Sequence, residues 1–123
     1  MNYTSIEQSK KLLELGLSLE SADMCYWMQY HRAIDGGGQH LEDKPSTGKG
    51  NKGSIPCWSV GSLLEWLENH VYVKLEHDGI MWTLKVIDHD NSSITYYNTQ
   101  DYIIDVCYNV IIWLLKNGTR SIR

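Results

Sequence analysis

Apolar residues change their spacing twice between Ser59 and Gly118, and that double change narrows the folds open to this chain. Val60, Leu63, Leu64 and Leu67 recur at the spacing of one helix face, with Ser59 or Ser62 placed to cap and Ser62 and Glu65 at capping-box spacing. The period then drops to two. Val71, Val73 and Leu75 alternate with Tyr72, Lys74 and Glu76, and His77, Asp78 and Gly79 make a turn into a second strand over 80–87. A polar turn over 88–93 leads to a shorter third strand over 94–97. Leu84 and Val86 against Thr83 and Lys85 predict one buried and one wet sheet face. Helical spacing returns with Ile103, Cys107, Val110, Ile111, Leu114 and Leu115. This helix is expected to start near Asn98 or Thr99, with Asp101 and Asp105 toward its positive end, Lys116 toward its negative end and Gly118 as its stop.

The first half is less periodic. Thr4 or Ser5 followed by Glu7 or Gln8 signals a helix start, Leu12, Leu13 and Leu15 supply its stripe, and Gly16 ends it before a short turn over 18–22. Residues 24–31 alternate as a strand would, although Met and Gln also suit a continuing helix; the strand is the preferred reading. Residues 35–54 hold six of the ten glycines and one large apolar side chain, Leu41. Such a segment predicts a flexible surface loop, because it buries too little to offset its ordering entropy. The expected fold is α+β, a single domain over 1–123 in which a three- or four-stranded antiparallel meander is packed on one face by three helices.

Composition excludes several classes. The chain is 42% hydrophobic, enough for a core at 123 residues, and its net charge of −4 argues against a basic nucleic-acid binder. Asp105 and Asn109 interrupt the longest apolar run, so no membrane span is expected. The polar first residues carry no visible secretory signal. Three widely spaced cysteines suit free thiols in a reducing compartment. The expected location is cytoplasmic.

Few side chains are spaced for chemistry. His77 with Asp78, and His89 between Asp88 and Asp90, are metal-ligand types, but the turns that carry them lie at opposite ends of one strand, roughly 25 Å apart. No metal and no cofactor is expected. Gly48, Lys49 and Gly50 have the flavour of a phosphate loop, yet Asp43 and Gly50 stand where that motif needs glycine and a hydroxyl residue. Cys57, just before a helix start, is the best-placed nucleophile, with His31 or His40 as its base; a small hydrolase-like enzyme is therefore one alternative reading.

Five Trp and eight Tyr with no Phe favour surfaces that are buried part of the time. Tyr26, Trp27 and Trp58 are candidate walls of an aromatic groove, with Lys49 and Lys52 beside it. Single-stranded nucleic acid could stack there, which gives a nucleic-acid accessory protein as a second alternative that the acidic charge disfavours. Four stretches, 5–17 (SIEQSKKLLELGL), 20–24 (ESADM), 55–64 (IPCWSVGSLL) and 113–118 (WLLKNG), resemble small uncharacterised proteins carried by prophages and other mobile elements of anaerobic gut bacteria. The resemblance spans both ends of the chain. It implies a mobile-element context and a cytoplasmic setting and brings no catalytic residues; the glycine-rich loop looks longer here than in that group. The leading expectation is a non-enzymatic binding or regulatory protein, acting on a protein partner or by self-association.

Overall fold

The computed structural model describes residues 2–30 and 38–118. His31, the start of the 35–54 segment and the tail after Gly118 lie outside the described residues.

Helix α1, Ile6–Glu14, starts in a capping box: the Ser5 hydroxyl accepts from the Gln8 amide, and the Gln8 side chain accepts from the Ser5 amide. Leu12 is its most deeply buried apolar residue. A one-turn 3-10 helix, Leu19–Ser21, follows, with Ser18 as its cap. The chain over 24–30 is strand, as preferred, in two pieces: β1, Met24–Tyr26, and β2, Met28–Tyr30.

The 35–54 segment departs from the loop expected of it. It contains β3, Gln39–Leu41, paired antiparallel with β2, and β4, Ser46–Thr47, paired with β1. Next comes β5, Ile55–Cys57, on the other side of β1, giving a small sheet ordered β4-β1-β5. Composition alone missed these pairings because the strands are two or three residues long and mostly polar, so they carry no hydrophobic alternation.

Helix α2, Val60–His70, is capped by Ser59 rather than Ser62, and its Leu63 and Leu67 are buried. The meander follows as β6, Tyr72–His77, β7, Trp82–Ile87, and β8, Ile94–Gln100, ordered β6-β7-β8. Leu84 and Val86 of β7 are fully buried on one face, as the alternation requires. Helix α3, Ile103–Asn117, starts later than expected. Asn98 and Thr99 do not cap it; they extend β8, pairing with Leu84 and Thr83, and the Thr83 and Thr99 hydroxyls lie 2.9 Å apart. Cross-strand pairing with β7, with the hydroxyl contact between Thr83 and Thr99, outweighs the capping preference of the side chains.

One core joins Leu63 and Leu67 of α2, Leu84 and Val86 of β7, and Ile104, Cys107, Val110, Ile111 and Leu114 of α3. Leu12, Leu17 and Trp58 extend it toward the first half of the chain. Helices α2 and α3 cover the meander, whereas α1 packs on β5 of the small sheet instead of joining them there. The α+β class stands; three helices on one face of one sheet does not.

Candidate functional site

The small sheet, the end of α1 and the glycine-rich segment enclose a cleft of about 420 Å³. Its walls follow from local structure. Gly16, with φ of +96°, turns the chain out of α1 and lets Leu17 plug the core, which leaves Leu19 on the short 3-10 turn, 61% exposed at the cleft mouth. Leu13, Ala22, Met24, Cys25 and Pro56 line its apolar wall. The stretch from Gly48 to Asn51 forms the opposite lip, and Lys49 and Glu20 give the rim one charge of each sign.

Side chains that bond to backbone hold that lip in place. Asn51 Nδ2 donates to the Met28 carbonyl (3.0 Å), the Met28 amide donates to Ser54 Oγ (3.0 Å), and the Ser54 hydroxyl donates to Asn51 Oδ1. The Gly48 amide donates to the Asp23 carbonyl (3.1 Å), and the Tyr30 hydroxyl to the Lys52 carbonyl (2.6 Å). Gly50 lies so close to its neighbours that a Cβ there would sit 2.4 Å from Ser54 Cβ and 3.0 Å from Cys25 Sγ. This glycine serves close approach of the lip to the sheet.

Asp23 ties the same region to α2. Its carboxylate accepts from the Ser59 amide (3.0 Å) and from the Ser59 hydroxyl, which itself accepts from the Ser62 amide. Partial burial pushes the Asp23 carboxyl up, but the Ser59 hydroxyl and amide outweigh it and hold the group below its ordinary value.

The residues expected to form an aromatic groove do not form one. Trp58 is 0% exposed, with Nε1 donating to Ser21 Oγ (2.8 Å), and Tyr26 is 2% exposed, with its hydroxyl donating to the Thr4 carbonyl (2.8 Å). Both are core and offer no ring to a ligand. Trp27, in the break between β1 and β2, lines a separate shallow depression with Gln29 and Glu42. Of the two lysines, Lys49 reaches the cleft lip; Lys52 is exposed on the far part of the same turn.

Cys57 is likewise unsuited to attack. It is fully buried, its thiol donates to the Thr4 carbonyl (3.3 Å) and receives a weak bond from Thr4 Oγ1 (3.6 Å), and no histidine takes part in those contacts. Burial pushes this thiol up from its ordinary value, away from the thiolate a nucleophile needs. Burial also raises Cys25, and it raises Cys107 in the core of α3 to about 12. The dipole of α2 does not rescue Cys57, because Asp23 and Ser59 already occupy the amides at that helix start. His40 is exposed on β3.

The acidic turns of the meander are self-contained. Asp78 Oδ1 accepts from the Ile80 and Met81 amides and Asp88 Oδ1 from the Asp90 and Asn91 amides, so both carboxylates close their own turns. Among the described residues no three metal-ligating side chains converge, and no helix is long and apolar enough to cross a membrane.

Sequence reasoning did not find Leu19, Met24, Cys25 or the Asn51 and Ser54 brace. The available signal was local: Asn and Ser three apart among glycines are turn-forming side chains that bond to backbone, and an apolar Leu19 stands in a polar run. Neither a protein-family model, a curated protein nor a solved structure matches the chain.

Proposed function

We propose that this chain is a non-enzymatic recognition protein of the mobile-element kind its sequence resembles, and that it takes an apolar side chain of a protein partner into the cleft between Leu19 and the Gly48 to Asn51 lip. The observation that carries this reading is the cleft itself: an apolar hollow of about 420 Å³ with a largely exposed leucine at its mouth. Small-ligand pockets fall in this size range, and burying one large apolar side chain contributes about 1.5–3 kcal/mol. Opposite charges on Lys49 and Glu20 at the rim suit a peptide backbone better than a strongly charged ligand. A protein partner in the cytoplasm is the corresponding setting.

The test compares the wild-type chain with Leu19→Asp and with Lys44→Ala in affinity capture from host lysate, read by quantitative mass spectrometry. Leu19 is exposed, so its replacement should leave folding almost unchanged. Proteins retained by the wild type and by Lys44→Ala should be lost with Leu19→Asp. Equal capture by all three chains would reject the cleft as the recognition site.

A further inference from the structure

The two edges of the meander differ in a way that points to a second copy of this chain. Strand β6 carries Lys74 and Glu76, which bond at 3.4 Å, and charged side chains on an edge strand discourage pairing with other chains. Strand β8 reads Ile-Thr-Tyr-Tyr-Asn-Thr-Gln, with no charge, no proline and no glycine. It is the outermost strand, and among the described residues no strand pairs with its outer side. A long neutral edge rich in β-branched and aromatic residues is the kind that proteins either protect or use. A bulge opposite Val86 and Ile87 affects only its start, leaving Tyr96 to Gln100 in regular register.

We propose that β8 pairs antiparallel with β8 of a second copy, joining the two meanders into one six-stranded sheet about a two-fold axis. Two observations favour a copy of this chain as the occupant. The strand is neutral along its whole length, so every antiparallel register with itself avoids opposing like charges. The charges just beyond it are complementary under the two-fold. Helix α3 runs back along β8, with Asn109 donating to Asn98 (3.1 Å) and Trp113 stacked on Tyr96 at 4.5 Å, so Lys116 lies toward the Ile94 end and Asp101 beyond the Gln100 end. Antiparallel pairing brings Lys116 of each copy to Asp101 of the other. Both are exposed, and neither forms an ion pair among the described residues. The half-buried Ile112 and Trp113, which border β8, add apolar surface to the same edge.

Sedimentation or light scattering of the full chain across the micromolar range tests the proposal. The wild type should reach twice the chain mass, and Tyr97→Lys, at an exposed position in the middle of the edge, should stay monomeric with an unchanged far-UV spectrum. Asp101→Lys, outside the strand, provides a second probe should Tyr97→Lys misfold: it should weaken dimerisation about tenfold through two symmetric contacts, and adding Lys116→Asp should restore it. A wild type that stays monomeric throughout overturns the proposal, as does a dimer indifferent to Asp101→Lys or to a folded Tyr97→Lys.

Discussion

Residues 60–117 and the described residues before Trp58 solve the same problem by different means. In the later region α2, the β6-β7-β8 ladder and α3 pair most of their amides and carbonyls with other backbone groups, and apart from Asp78 and Asp88 in the turns, side chains contribute mainly by burial. In the earlier region the strands are two or three residues long, and side chains complete the pairing. Thr4 is the clearest instance. Its Oγ1 lies 2.8 Å from Ser9 Oγ and accepts from the Trp58 amide (3.1 Å), its amide donates to the Trp58 carbonyl (2.9 Å), and all of this is buried. The difference teaches that polar side chains in the first half are structural parts, and that the candidate cleft is shaped by them.

Substitutions should separate the two regimes. The largest effect is expected in the regular region: Leu84→Ala, at a fully buried site in the middle of β7, should cost about 3 kcal/mol in urea unfolding by leaving a cavity under α3. Thr4→Val keeps shape and removes only a hydroxyl, yet should cost about 2 kcal/mol, because the buried Trp58 amide and Ser9 hydroxyl lose their partner. A loss well under 1 kcal/mol would mean that burial alone holds the first half together and would erase the contrast.

Asp23→Asn should have the smallest effect and a pH signature. The carboxyl is held below its ordinary value in the folded chain, so its stabilisation is complete above the unfolded-state value and is lost as pH falls through the lowered folded one. Asp23 is exposed, which limits the loss at neutral pH to about 0.5 kcal/mol. Unfolding curves of the two chains should therefore converge in acid. Curves that remain equally separated there would show that the carboxylate charge is not what joins this turn to α2.

The same contrast explains what the sequence revealed. Where period carries structure it was legible: the alternation of Val73, Leu75, Leu84 and Val86 and the helical spacing of Ile103, Cys107 and Val110 gave the meander and both of its helices. The start of α3 was misplaced because Asn98 and Thr99 suit a cap locally but pair across strands once β7 is beside them. Most of the cleft was hidden. Glycines and lysines over 48–53 carry the composition of disorder, and nothing in one residue reveals that Asn51 and Ser54 reach the Met28 backbone from 23 and 26 positions away. The aromatic groove failed for a related reason: composition marks Tyr26 and Trp58 as amphipathic, but their polar tips bond inward, to Thr4 and Ser21.

Native-state hydrogen exchange of the amides of Met28, Gly48 and Ser54 tests most directly the claim that the glycine-rich segment is a braced lip. All three donate hydrogen bonds, the first to Ser54 Oγ, the second to the Asp23 carbonyl and the third to the Asn51 carbonyl. They should exchange far more slowly than in an unstructured chain, and Asn51→Ala should speed Met28 and Ser54 while leaving the Leu84 amide in the meander unchanged. Exchange of all three at the unstructured rate in the wild type would contradict the account.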